Sequence, residues 1–341
     1  MNLNLTNASI LQNVSSAKCV RDTSITKVIF PCLYMLLAIA SIFLNSLMAW
    51  IFFKIPSKST FIVYLKNVMV ADLIMTVTII IKAVSDAELG QYYLKAFVCR
   101  YSAVLFYMMM YVSIILLGLI SLDRFLKIVR PFGRSFIRKA TFGKYFTITL
   151  WALMFFITAL PNMVFTNKKP TPFLARKCSL LKGQFGLQWH EAINYICQVI
   201  FWTVFGLMTV CYTLISKKVY DSYRNSQGTN KNATVLVKLR VFVVVAVFFI
   251  CFAPFHFNRI PYTLSQTGKV SNCHMQNSLY ITKETTLWLS ATNVCLDPIM
   301  YVLLCKSFQK KVPDAIRKVC RCLPFQPPES SFTEDVEATT V

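Results

Sequence analysis

Seven apolar segments recur along the chain, at about 27–53, 61–84, 97–122, 144–165, 192–216, 239–264 and 280–304. Each has the roughly 20 residues that a helix needs to cross a hydrocarbon core. Water is absent there, so the backbone N–H and C=O groups of each segment must bond within it, which a helix achieves and a lone strand does not. The expected fold is an all-α membrane protein, a seven-transmembrane helix bundle. Composition agrees, because 15% of the residues are charged where soluble domains carry about 25%. The fifth segment has no clear start signal, which leaves Trp189 and His190 at its border. Residues 1–26 are polar and lack a short apolar core with a small-residue cleavage site, so the first span is expected to serve as the insertion signal. The chain thus divides into a tail (1–26), the bundle (27–304), a short amphipathic segment (305–322) and a polar end (323–341).

Lys and Arg number 36 against 14 acids, a net charge of +22. On a soluble chain that would suggest nucleic acid, but here the basic residues fall between apolar spans, where they orient a membrane protein. No nucleic-acid partner is expected. Arg124, Lys127, Arg130, Arg134, Arg138, Lys139 and Lys144 follow the third span, and Lys217, Lys218, Arg224, Lys231, Lys238 and Arg240 follow the fifth. Both connections are expected in the cytoplasm, with the C-terminus, in a multi-pass protein of the plasma membrane. The N-terminal tail is then extracellular, and its sequons at Asn4, Asn7 and Asn13 are expected to be glycosylated. The Asn232 sequon falls on the inner side and is expected to stay unmodified.

The outer side is also basic. Lys168, Lys169, Arg176, Lys177 and Lys182 lie between spans four and five, and Lys283 opens the seventh. With Arg259 they would make a positive field that concentrates an anionic ligand, the alternative for the loop lysines being solvation alone. Cys19, Cys99, Cys178 and Cys273 fall outside, where disulfides persist, and spacing leaves three pairings open.

Several side chains are costly in lipid and are therefore candidate functional residues. His256, Arg259 and Tyr262 stand at i, i+3 and i+6, so they share one broad face of the sixth helix. An arginine snorkelling to headgroups is the competing reading. Asn45, Asp72, Asn293 and Asp297 are expected to face one another in the bundle interior, with water or Na+ between them. Pro254 and Pro298 each remove a backbone bond and give spans six and seven a place to bend. Beyond the bundle, Phe308, Val312, Ile316 and Val319 form the apolar stripe of a basic helix suited to lie on membrane lipids. Cys320 and Cys322 are placed there for palmitoylation. The acidic end has no capacity to form a core, carries Ser330, Ser331, Thr333, Thr339 and Thr340 as phosphorylation candidates, and ends in Val341 as a PDZ-domain ligand would.

The chain resembles the rhodopsin-like G-protein-coupled receptors over nearly all its length. The resemblance rests on Asn45, on Val70, Ala71 and Asp72, on Cys99, on Asp123, Arg124 and Phe125, and on Trp151. It continues through Tyr212, the run Cys251, Phe252, Ala253 and Pro254, and Asp297, Pro298 and Tyr301. Phe125 ends its triplet, Phe252 replaces a common Trp and Asp297 a common Asn, the last two being substitutions that recur in nucleotide-sensing branches. Within the family it is similar to purinergic receptors that sense ADP or UDP-sugars through inhibitory G proteins, and most like the ADP receptors. The strings that carry this include LPNMVFTN, FHFNRIPYTLSQT and KETTLWLSATNVCLDPIMY.

The resemblance implies a ligand pocket of Tyr107, Tyr111, Asn162, His190, Asn194, His256, Arg259, Tyr262, Gln266 and Lys283. It also implies disulfides Cys99–Cys178 and Cys19–Cys273, and an Asp72/Asp297 network linked to Na+ that collapses on activation. Asp123, Arg124, Tyr212, Phe252, Pro254, Asn293, Pro298 and Tyr301 would act in activation and coupling, with Asp123 holding Arg124 at rest. Arrestin and a receptor kinase would be further partners. The chemistry fits: arginine and lysine neutralise a diphosphate, Tyr107 offers a base a stacking face, and Asn162, His190 and Asn194 offer directional hydrogen bonds. One departure concerns the second span, where Ile80, Ile81 and Lys82 replace the subgroup's usual Pro-Phe-Lys, so that helix is expected to run straight. A UDP-sugar or lipid phosphate remains the alternative ligand class. A transporter would show internal repeats, and a metal or serine hydrolase would show HExxH or GxSxG strings; the chain shows none of these.

Overall fold

The computed structural model describes residues 24–54, 59–129, 139–225 and 231–304. The expected glycosylation sites Asn4, Asn7 and Asn13, Cys19, the palmitoylation sites Cys320 and Cys322, the amphipathic segment and Val341 lie outside the described residues.

Seven helical runs occur among the described residues: α1 (Ser24–Phe53), α2 (Thr60–Asp86), α3 (Tyr92–Val129), α4 (Ala140–Val164), α5 (Gln184–Asn225), α6 (Lys231–Gln266) and α7, in two pieces (Cys273–Ala291 and Asn293–Leu304). The first six contain stretches long and apolar enough to cross a membrane. The seventh does not pass the same test, because it is split at Thr292 and carries Lys283, Glu284 and Asp297. Most of the runs extend past the apolar segments that announce them, since helical hydrogen bonding continues where the chain leaves lipid. Thus α5 begins at Gln184 and takes in Trp189 and His190.

Local chemistry explains the ends and breaks. Ser59, in extended conformation, accepts from Ile62 N and starts α2. Asn272 accepts from the amides of His274 and Met275 and starts α7. The second span, α2, is one continuous helix. In contrast, α3 and α4 each contain a π turn, Val98–Ser102 and Met154–Ala159. The second lies just before Pro161, whose ring nitrogen cannot continue the α-helical ladder. In α7, Pro298 cannot donate to the carbonyl of Val294. That carbonyl accepts Asn45 Nδ2 from α1 at 2.8 Å instead.

Each helix packs on its neighbour in sequence from α1 to α3, α5 packs on α3, α6 on α5, α7 on α6, and α7 closes the ring onto α1 and α2. The middle of α3 is buried, with Val112, Ile114 and Leu116 inaccessible, and α4 leans on α2, where Trp151 Nε1 donates to Asn67 Oδ1 at 3.1 Å. Leu36, Phe43, Ile148 and Val199 are exposed on the outside, as lipid-facing side chains are.

Candidate functional site

A cavity of about 260 Å³ opens between the helices at the end of the bundle that carries Cys99 and Cys178. These two cysteines form a disulfide with Cα atoms 5.3 Å apart. It holds the α4–α5 loop onto α3, where Arg100 also donates to the carbonyls of Thr166 at 2.5 Å and Lys168 at 3.2 Å. Cys273 is disulfide-bonded too; its expected partner Cys19 lies outside the described residues.

The cavity wall brings together Tyr107 and Tyr111 from α3, Asn162 from α4, and His190 and Asn194 from α5. Arg259, Tyr262 and Gln266 from α6 and Lys283 from α7 complete it. His256 is not part of the wall: it is fully buried beneath it, its Nε2 3.1 Å from the Tyr111 hydroxyl and its ring stacked on Phe201 at 3.7 Å. The shared helical face therefore holds two cavity residues and one residue in the floor.

Arg259 does not snorkel. It is 6% exposed, donates through Nε and a terminal nitrogen to Asn194 Oδ1 at 3.2 and 2.7 Å, and lies 4.6 Å above the Tyr107 ring. Asn194 donates in turn to Thr263 at 3.1 Å. His190 Nε2 sits 3.2 Å from both Gln266 Oε1 and Asn194 Nδ2, so its tautomer decides which of the two it bonds. A second cation enters the same cavity from the loop. Lys182 is 6% exposed, with Nζ donating to Asn162 Oδ1 and Thr166 Oγ1, each at 3.1 Å. Burial, and then the charge of Arg259, push its ammonium down to about 8. Among the described residues, neither cation has a carboxylate at ion-pair distance; amide and hydroxyl oxygens hold them where an anion would fit.

Lys283 is differently placed. Its Nζ lies 2.6 Å from Glu284 Oε1, while Glu284 Oε2 is 3.0 Å from Lys82, which also pairs with Asp86 at 2.5 Å. Lys182 and Glu284 are the cavity residues that sequence reasoning underrated. Lys182 was legible only as one of several loop charges, although its place four residues after Cys178 meant that a disulfide would fold it inward.

Below the floor, His256, Phe201 and Phe248 stack in line, and Phe248 lies 5.1 Å from the buried Phe252. Deeper still, Asn293 Nδ2 donates to Asp297 Oδ2 at 2.8 Å and the Tyr301 hydroxyl to Asp72 Oδ2 at 3.1 Å. The Oδ1 atoms of Asn45, Asp72, Asn293 and Asp297 are buried with no hydrogen-bond partner among the described residues. Two carboxylates and two amides presenting unused oxygens are the donor set that a hard cation takes.

At the opposite end, the expected Asp123–Arg124 pair is replaced. Asp123 pairs with Lys127 at 2.8 Å, one turn along the same helix, and the Arg124 guanidinium lies 3.4 Å from the centre of the Phe61 ring. Adjacent residues on a helix do not face each other, whereas those four apart do, which favours Lys127. Tyr212 is buried on α5.

A family model described as the 7 transmembrane receptor (rhodopsin family) matches residues 44–301. Among curated proteins, the chain is 53% identical over 308 residues to purinoceptor 13 of Homo sapiens, covering 90% of this chain and 87% of that one. It is 44% identical over 296 residues to purinoceptor 14 of Bos taurus, covering 87% and 88%. To G-protein coupled receptor 87 of Mus musculus it is 45% identical over 287 residues, covering 84% and 79%.

Proposed function

This chain belongs to the rhodopsin family of seven-transmembrane receptors, and on that premise we propose that it is a cell-surface receptor for extracellular ADP that lowers cyclic AMP through inhibitory G proteins. The observation that carries the reading is that Arg259 and Lys182, two buried cations, line one cavity with no carboxylate at ion-pair distance from either among the described residues. A diphosphate satisfies both, and Arg259 can offer it two parallel donors. Tyr107 lies under Arg259 and lines the same cavity, where a base can stack. Asn162, His190 and Asn194 supply donors and acceptors for base and ribose. The similarity to purinoceptors of two numbered types supports a nucleotide as the ligand.

In this reading the disulfide end faces outward, with the N-terminal tail, and the Asp123 end faces the cytoplasm. An agonist that bridges Arg259 and Lys283 draws α6 and α7 inward. The shift passes through Tyr111 and His256 to the Phe201, Phe248 and Phe252 stack, with Pro254 as hinge. Arg124 then leaves the Phe61 ring for the G protein. Na+ held by Asp72 and Asp297 favours the resting arrangement, and arrestin, a receptor kinase and a PDZ scaffold at Val341 act on the cytoplasmic side. A second reading, a UDP-sugar, draws on Asp86 and Glu284, carboxylates on the same cavity that suit hexose hydroxyls.

The test is inhibition of cyclic AMP in cells expressing the chain, comparing ADP, UDP-glucose and lysophosphatidic acid with and without pertussis toxin. A toxin-sensitive response to ADP, reduced at least about 100-fold in potency by Arg259→Ala with the receptor still at the surface, is expected; loss of a buried charge-assisted pair is of that order. A response to ADP that survives Arg259→Ala would remove the site assignment.

A further inference from the structure

The cavity sorts its charges into two groups. Arg259 and Lys182 are held by neutral oxygens. Lys82 and Lys283 are instead matched by Asp86 and Glu284, and Glu284 is the hinge of that second group because it touches both lysines. Its side chain is 5% exposed, and its two oxygens are divided, Oε1 to Lys283 and Oε2 to Lys82. The two contacts are unequal. Lys283 hydrogen-bonds Oε1 at 2.6 Å, whereas Oε2 lies at ion-pair distance from Lys82 without hydrogen-bond geometry. Any ligand anion that approaches Lys283 therefore meets an internal carboxylate already there, and must share the lysine with it or push it toward Lys82.

We propose that Glu284 sets how much negative charge the cavity accepts, as a resident negative charge beside Lys283 that makes each further ligand phosphate costlier. The proposal rests on reading the cavity as an anion site and extends that reading to specificity. With Glu284 ionised, a two-phosphate chain is served by Arg259 and Lys182 and borrows Lys283 in part. A third phosphate needs Lys283 in full, and it stands close to the Glu284 carboxylate, where like charges repel. Removing that carboxylate frees Lys283, while Lys82 keeps Asp86, and leaves the group with one more net positive charge; the gain grows with each additional ligand charge. Lys82 makes the effect reversible: taking away its ammonium along with the Glu284 carboxylate restores the charge balance while leaving Lys283 in place.

The purified full-length receptor is titrated with inorganic pyrophosphate and tripolyphosphate, which carry a nucleotide's phosphate chain and nothing else. The forms compared are the unaltered receptor, Glu284→Gln and Lys82→Met/Glu284→Gln. Glu284→Gln is expected to tighten tripolyphosphate about tenfold more than pyrophosphate, the order set by one added charge contact in a partly buried site. The double variant is expected to return the ratio to within about twofold of the starting value. Equal gains for both anions, an unchanged ratio, a double variant that keeps the raised ratio, or no binding of either anion would each overturn the proposal. Should Glu284→Gln not fold, Lys82→Met alone, which takes a positive charge from the same group, is expected to lower the tripolyphosphate-to-pyrophosphate ratio; an unmoved ratio there overturns it as well. The ADP response of the unaltered receptor is a separate readout. Expected phosphate ratios without an ADP response keep the charge rule and lose the nucleotide, and an ADP response with unmoved ratios does the reverse.

Discussion

Arg259 and Lys182 reach the same cavity from opposite kinds of sequence context. An arginine within an apolar run is conspicuous because its burial cost has to be offset, while a lysine in a basic loop looks like any other. What separates Lys182 from its loop neighbours is the disulfide at Cys178, four residues before it, which folds the loop down until the ammonium meets Asn162 and Thr166. Burial lowers its proton affinity to about 8, and the sign of the consequence follows. Lys182 is charged below that value and neutral above it, so an anion that needs the charge binds more weakly as pH rises. Phosphate groups are already ionised above pH 7 and do not add to the change. Between pH 7 and 9 the affinity for ADP is expected to fall about tenfold. Radioligand competition across that range measures it, and Lys182→Met should bind more weakly at pH 7 with a flattened profile, while a profile as steep as the parent's would place the titration elsewhere.

At the level of elements, proline accounts for both what the helices keep and what they give up. With no proline in residues 60–86, α2 runs as one continuous helix and carries Lys82 and Asp86 to the cavity beside Glu284. Pro298 in α7 costs a backbone bond, and Asn45 supplies the donor that Val294 lacks. Asn45→Ala should thus leave a buried carbonyl unpaired and destabilise the receptor by about 1–3 kcal/mol. Adding Pro298→Ala restores an N–H to that carbonyl, so the double variant is expected to recover part of the loss. Thermal unfolding of the purified receptor and its variants checks this; strictly additive losses would show that the two residues do not share the carbonyl. The π turns of α3 and α4 were not legible beforehand, because apolar periodicity does not register one extra residue in a turn.

For the whole molecule, the polar residues of α1, α2 and α7 matter as a set. Asn45, Asp72, Asn293 and Asp297 come from three helices, and each retains a buried oxygen with no hydrogen bond among the described residues. A cation there links the α1–α2 pair to α7, and if it favours the resting arrangement, agonist affinity is linked to it reciprocally. Replacing Na+ with a large organic cation at constant ionic strength is expected to raise ADP affinity about fivefold to tenfold, and Asp72→Asn should abolish the difference in equilibrium binding. An Asp72→Asn receptor that still responds to Na+ would move the cation site elsewhere. The same assembly shows how far the sequence could be read. Seven apolar segments and the position of each motif determined a helical membrane bundle and the family, because lipid leaves the backbone few options and a polar residue in a span must have a purpose. Burial cost singled out Arg259 and its helical face, while most of the cavity wall was expected only from the resemblance to purinergic receptors. Pairing between elements was decided by tertiary structure: Lys182 with Asn162, Glu284 shared between Lys283 and Lys82, and His256 beneath the cavity instead of on its wall. A sequence specifies which face of a helix a side chain is on, but the partner it meets depends on how deeply and at what rotation neighbouring helices pack, and only the assembled bundle sets those distances.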